Sequence, residues 1–233
     1  MTALLYRWPV AAKFGRVVPK TKFYENTTVL TPVKDKFVSD VQRITWAYKL
    51  AESTINLTGN ASVPEIQIFE IDAKTDEISE SVLATIDKAV KTPVVFEINR
   101  DDGSDRATQM VAAHKQLGSG APKLGPYYST DWQPADTNRD ALPTAIDLTG
   151  LYTALLQPLT QIATRPGEEV SEVVARLGAV RALEREILAL ERKIRTEPQL
   201  NRKIELRRTL KTRQTTLVDL TSQTPNPVPG NSN

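Results

Sequence analysis

The chain has no cysteine, which excludes structural disulfides, thiolate metal sites and cysteine nucleophiles, and fits a reducing compartment. Its only histidine is His114. An imidazole-based zinc site or a serine triad would have to be built on that one residue, so neither class is expected. No stretch approaches the roughly 18 apolar residues of a membrane-spanning helix. The opening M-T-A-L-L-Y-R-W-P is cut by Arg7 and Pro9 and lacks the longer apolar region and small-residue cleavage site of a secretory signal. The expected location is the cytoplasm. Charge of one sign is also scarce: a net +2 is too small to announce nucleic-acid binding, so the distribution of bases matters more than their total.

What is present is an ordinary globular composition, 40% hydrophobic over 233 residues, enough for one large domain or a domain with an appendage. The pattern predicts an α+β chain: a mixed α/β sheet domain over residues 1–144, a helical region with an antiparallel, coiled-coil-like hairpin over 145–221, and a disordered tail over 222–233. The tail is rich in proline and cannot bury a core.

Thr31-Pro32 reads as a helix start, with Thr31 as cap and Pro32 in the first turn, and Phe37, Val41 and Ile44 follow at helical spacing. Trp46 to Leu57 reads as extended chain, and Thr58-Gly59-Asn60 turns it into an antiparallel neighbour. Ile78, Val82, Ile86 and Val90 mark an amphipathic helix preceded by acids and stopped by Pro93. Val94 to Ile98 and Thr108 to Ala113 read as a hairpin across the turn residues Asp101-Asp102-Gly103. Gly118 to Lys123 lacks the ending of a phosphate loop and is expected to be a connection. Tyr127, Tyr128 and Trp132 suggest a further strand.

The stretch Val63 to Lys74, V-P-E-I-Q-I-F-E-I-D-A-K, reads as a central strand. Side chains alternate across a strand, so Ile66, Ile68, Glu70, Asp72 and Lys74 share one face, apolar at its start and charged at its end. Asp72-Ala73-Lys74 resembles the (D/E)-x-K half of restriction-type nuclease sites, where carboxylates bind Mg²⁺ and a lysine stabilises developing charge. Glu70, Asp72 and Lys74 are therefore the candidate catalytic residues of an alternative, Mg²⁺-dependent function. The upstream acid would come from Glu25, Asp40 or Glu52. Apart from that alternative, no catalytic residue, metal ligand or cofactor is expected.

From Ala145 the pattern turns helical, with Leu148, Leu151, Leu155 and Leu159 on the first helix. A longer helix is expected from about Pro166 to Arg195, its early turns carrying Glu168, Glu169 and Glu172. Val180, Leu183, Ile187, Leu190 and Ile194 form its seam. Thr196-Glu197-Pro198-Gln199 fits a capping box that opens a new helix, although a single kinked helix is also compatible with the pattern. Apolar residues beyond one seam, such as Val170, Val174, Leu177, Ile204 and Leu217, imply packing on the sheet domain, on a second copy or on another protein. The candidate partner-binding residues are Ile187, Leu190, Ile194, Leu206 and Leu210.

Arg195 to Arg213 holds seven bases (Arg195, Arg202, Lys203, Arg207, Arg208, Lys211 and Arg213) against Glu197 and Glu205, a local charge of +5. These bases are either a solvated face paired with Glu184, Glu186 and Glu191 of the neighbouring helix, or a stripe that tracks nucleic-acid phosphates.

Five phrases together, Pro19 to Glu25, Ile44 to Leu50, Glu65 to Ile71, Tyr127 to Thr130 and Gln199 to Leu206, resemble the prokaryotic family "domain of unknown function 4391". This chain departs from the family pattern at Leu200, usually Phe, and at Pro198. The resemblance implies a bacterial, archaeal or phage protein encoded near DNA methyltransferases and helicases of restriction-like defence loci, and it assigns no catalytic residues. The expected function is a non-catalytic accessory subunit. Its hairpin would bind a methyltransferase or helicase of the same locus, or a second copy, and its basic helix would serve DNA.

Overall fold

The computed structural model describes residues 5–25, 29–101, 103, 106–118, 122–160 and 170–222. They fall into two contact units, Met1–Thr160 and Gln161–Asn233. In the first, β1 (Lys13–Val17), β2 (Val41–Leu50), β3 (Ile66–Ala73), β4 (Val94–Asp101), β5 (Arg106–Gln116), β6 (Lys123–Ser129) and β7 (Gln133–Pro134) form one sheet. The strand order is β1-β2-β3-β4-β5-β6, with β7 also paired to β5. Among the strands of the described residues, only β3 and β4 pair in parallel. A parallel pair needs a crossover, and the helix Glu80–Ala89 lies in that connection. The expected α+β class is the one observed.

Helix α1 (Thr31–Asp40) has its proline in the first turn, but its cap position is Leu30 and no side chain bonds there, so Thr31 is the first helical residue rather than the cap. It ends at Asp40, and Val41 and Ile44, expected on the helix, lie in β2. Pairing with β3 along Val41 to Leu50 supplies more bonds than another helical turn, and the β-branched and aromatic residues of that run suit a pleated surface. The strand stops at Leu50 rather than Leu57, because Glu52–Ile55 makes a one-turn helix, α2. There the Thr54 hydroxyl accepts from the Ala51 N–H at 2.9 Å and donates to the Lys49 carbonyl at 2.8 Å. Trp132 lies beyond β6. Strand β1 was not expected: all five residues of K-F-G-R-V are exposed, and Gly15 takes φ +66° at the bulge that bends this edge away from open pairing.

Helices α1 and α3 (Glu80–Ala89) supply the core on one face of the sheet. Phe37 of α1 and Val82 and Ile86 of α3 join Ile44, Phe69, Ile71, Phe96 and Ile98 there. Each such side chain contributes roughly 1.5–3 kcal/mol by burial. Helix α4 (Leu148–Leu156) buries Leu148, Leu151, Tyr152, Leu155 and Leu156. Its Tyr152 hydroxyl accepts from the Lys115 N–H at 3.1 Å and donates to the Ala113 carbonyl at 2.8 Å, where the register of β5 with β6 slips. This helix therefore packs within the contact unit that holds the sheet, Met1–Thr160.

In the second unit α5 (Val170–Thr196) and α6 (Leu200–Thr221) form the hairpin. Residues 197–199 are not helical, so the chain makes two helices and not one kinked one. They are antiparallel: Arg176 bonds to Leu220, and Glu186 to Arg213. The expected capping box is not formed. Thr196 donates back to the Arg192 and Lys193 carbonyls, while the Gln199 N–H is taken by the Glu197 carboxylate at 3.0 Å. Expectations for Asp102, the 119–121 loop, the helix start at 166–169 with Glu168 and Glu169, the tail from residue 223 and the side chains of Val170, Val174 and Leu177 lie outside the described residues.

Candidate functional site

The face of the sheet opposite α1 and α3 carries two rows of polar side chains. Register places Arg43, Asp72, Asn99 and Thr108 side by side on four strands. They form a hydrogen-bonded chain: the Arg43 Nε donates to Asp72 Oδ2 at 2.7 Å, the Asn99 amide reaches Asp72 Oδ1 at 3.5 Å, and the Thr108 hydroxyl donates to Asn99 Oδ1 at 2.8 Å. The next row is Thr45, Glu70 and Glu97, ended on β5 by the apolar Met110.

Glu97 is 1% exposed and fully engaged. The Trp8 indole donates to it at 2.8 Å, and Arg139 grips both carboxylate oxygens at 2.7 and 3.0 Å. This fork is the strong geometry for a buried carboxylate. Arg139 also donates to the Tyr6 carbonyl at 2.9 Å, which ties the N-terminal segment and the 139–140 segment together over this row. Glu70 stands beside Glu97 in register, half-buried, and its carboxylate makes no hydrogen bond among the described residues. Burial first, then the Glu97 and Asp72 charges, raise its proton affinity against the pull of Arg139 and Arg43.

A crevice of about 700 Å³ opens where β3 and β4 part, lined by Gln42, Arg43, Asp72, Asn99, Arg106 and Thr108 among others. The β3–β4 pairing ends at Asp72 and Asn99, while β2–β3 continues to Val41 and Ala73 and β4–β5 to Asp101 and Arg106. The carboxyl ends of parallel strands are where open sheets commonly receive ligands. Here the walls are occupied by two ion pairs, Arg43–Asp72 at 2.7 Å and Arg106–Asp101 at 2.5 Å.

The three candidate catalytic residues do not converge. Strand β3 ends at Ala73. The Lys74 Nζ donates to the Val38 carbonyl at 2.9 Å, and Lys20 reaches the Val41 carbonyl. Both lysines sit at the carbonyl-rich end of α1, where cations are favoured. Of the upstream acids, Asp40 is turned to the start of α3, accepting from the Ser79 N–H at 3.3 Å. Glu25 lies beside Lys22 at 3.9 Å. Glu52 starts α2, past the Leu50–Ile66 end of β3 and away from Asp72. Among the described residues no three His, Cys, Asp or Glu stand together as metal ligands.

In the hairpin, Val180, Ile187 and Leu190 are buried, while Leu183, Ile194, Leu206, Leu210, Leu217 and Leu220 are half-buried. The residues singled out for partner binding thus lie on the seam between α5 and α6. The bases separate into groups. Arg213 pairs with Glu186 at 2.9 Å and Arg202 with Glu197 at 3.6 Å, and Lys203 is half-buried. Arg195, Arg207, Arg208 and Lys211 are exposed.

The Glu97–Arg139–Trp8 cluster escaped the sequence reading. A glutamate inside V-V-F-E-I was a usable signal for Glu97, since an acid in an apolar strand needs a partner. Arg139 and Trp8 are brought to it only by the tertiary fold.

No curated protein and no solved structure shows significant similarity to this chain. One family model does match it, that of a domain of unknown function, over residues 7–217. This span takes in the whole sheet, the Glu97 cluster and nearly all of the hairpin, so the chain belongs to the family described as domain of unknown function DUF4391.

Proposed function

We propose that the chain is a non-catalytic accessory subunit of a prokaryotic DNA-modification or restriction-like defence assembly, with the C-terminal hairpin as its docking element. The observation that carries this is the exposure of Leu188 at 53%, Ile204 at 40% and Val218 at 64% on a two-helix unit. Two helices bury one face each against one another, and aliphatic residues left outside that seam suit contact with another protein. The sheet unit supports the same view. Asp72 of β3 is paired with Arg43, and Lys74, just past the strand, is held at the end of α1.

Co-purification of the tagged full chain from a native host tests it. A methyltransferase or helicase is expected as the partner, retained by the wild type and lost when Leu188 and Ile204 are both changed to Asp with helicity unchanged. Ile187→Asp is the contrast, because it opens the seam and should lower helicity as well. Retention of the partner by the Leu188/Ile204 double variant, or recovery of neither enzyme with the wild type, would overturn the proposal.

A further inference from the structure

The seven bases around the hairpin turn form one cluster in sequence, but the fold sorts them by direction. At 3.6 residues per turn, Leu206, Leu210, Arg213, Leu217 and Leu220 share the seam side of α6. Ile204, Arg207, Arg208, Lys211, Thr215 and Val218 share the opposite side, and all six are exposed. No acid stands among these six; Glu205, three residues before Arg208, flanks the stripe about 60° round the helix from that arginine. Arg207 and Arg208, adjacent in sequence, splay to either side of the line through Lys211.

Two further features narrow the kind of partner. The hydroxyls of Thr209, Thr212, Thr215 and Thr216 each donate to the carbonyl four residues back, at 3.1, 3.2, 3.1 and 3.0 Å. Their hydrogens are spent on the helix, and the stripe's free donors are those of the bases. Ile204 and Val218 are about 21 Å apart along the axis at 1.5 Å per residue, with the bases between them. A lipid surface would require a continuous apolar face, and the leucines of α6 that could form one point into the seam. A polyanion requires only spaced positive donors.

We infer that the outward stripe of α6, Arg207, Arg208 and Lys211, binds the phosphodiester backbone of nucleic acid without regard to sequence. This rests on the hairpin being an interaction arm, and it assigns a further role to the side of α6 that also carries Ile204 and Val218, with the bases lying between those two aliphatic positions. Guanidinium and ammonium groups contact phosphate by charge and hydrogen bonds, and contacts of this kind position a protein on nucleic acid without reading bases.

Fluorescence anisotropy of the full chain with labelled DNA duplex, RNA duplex and single-stranded DNA tests it, with salt varied from 50 to 200 mM. Binding to at least one probe is expected, with unrelated sequences of that probe bound equally. For duplex DNA, three phosphates engaged give a slope of about −2.7 in log K against log salt. The three probes show which nucleic acid supplies the backbone. Arg207→Glu with Arg208→Glu should weaken binding at least about ten-fold, whereas Thr215→Ala should leave it unchanged. Arg207→Gln with Lys211→Gln is a milder pair that keeps the test valid if charge reversal perturbs the helix. Absence of binding to all three probes at 50 mM salt, a slope near zero, undiminished binding by the charge variants, or binding to phosphatidylserine vesicles in place of nucleic acid would each overturn the inference. Failure of the docking proposal is seen separately, because Leu188→Asp, on α5, leaves all three bases intact and should weaken retention of the protein partner without changing binding to the nucleic-acid probe.

Discussion

Lys115 and Asp87 form an ion pair in which neither side chain is exposed to solvent. The Lys115 Nζ also donates to the carbonyls of Asp87, Val90 and Thr92 at 2.6, 2.9 and 2.8 Å, and the Tyr127 hydroxyl donates to Asp87 at 2.9 Å. The last carbonyls of a helix have no partner of their own kind, and here one ammonium from β5 serves the end of α3. Burial pushes the Asp87 carboxyl up and the Lys115 ammonium down, and each charge pulls the other back. The pair thus pins the crossover helix to a strand two places away from β3.

Lys115→Met should lower stability by about 3–5 kcal/mol, because it leaves Asp87 as an uncompensated buried charge. Adding Asp87→Leu should recover much of that loss, since an apolar pair of similar volume often replaces a buried ion pair at little net change. Urea denaturation of the two variants measures both. A loss below about 1 kcal/mol for Lys115→Met would show that the pair is not what holds α3.

Two groups should give the stability curve opposite slopes. Glu70 has a raised proton affinity in the fold, so its contribution is present below its unfolded value of about 4.3 and is lost as pH rises through the folded value. His114, half-buried against the Tyr152 ring, has its proton affinity lowered by burial. Its contribution is present above about 6.5 and is lost as pH falls through the lowered folded value. Glu70→Gln should therefore gain on the wild type as pH rises from 4, and His114→Gln should gain on it as pH falls below 6.5. Denaturant midpoints across pH 4–8 check both signs.

Asp72→Ala and Lys74→Ala are expected to act on stability alone. The Arg43–Asp72 pair is partly exposed, so its loss should cost less than about 1 kcal/mol, and removing the cation at the end of α1 about 0.3–1 kcal/mol. The wild type should not cleave plasmid DNA in Mg²⁺ or Mn²⁺. Cleavage that vanishes in both variants while they stay folded would replace the accessory proposal with the nuclease alternative.

Local chemistry was sufficient wherever neighbouring residues carried the information. The apolar run Val63 to Lys74 marked β3, observed as Ile66–Ala73, and the charged end of its face, the 3-4 spacing of Val180 to Ile194 marked the hairpin seam, and Pro198 marked the break between the helices. The absence of cysteine and the single histidine bounded the chemistry in the same direct way. Boundaries were less legible. Val41 and Ile44 suit a helix face and a strand equally, and only pairing with β3 decided between them.

Tertiary structure alone decided the partners of the charged groups. Asp72 and Lys74 are two residues apart and Asp40 is a candidate upstream acid to them, yet one turns to Arg43, one to the end of α1 and one to the start of α3, because each polar group near the core bonds to whatever the fold brings within reach. Glu97 and Arg139, 42 residues apart, and Asp87 and Lys115, 28 residues apart, meet only after the sheet has assembled. The composition determined that the chain could fold without staples and carry a basic helix. Which of those bases face solvent, and which are held by Glu186 and Glu197, depended on the rotation of α6 about its own axis, set by the burial of Leu206, Leu210, Leu217 and Leu220 against α5.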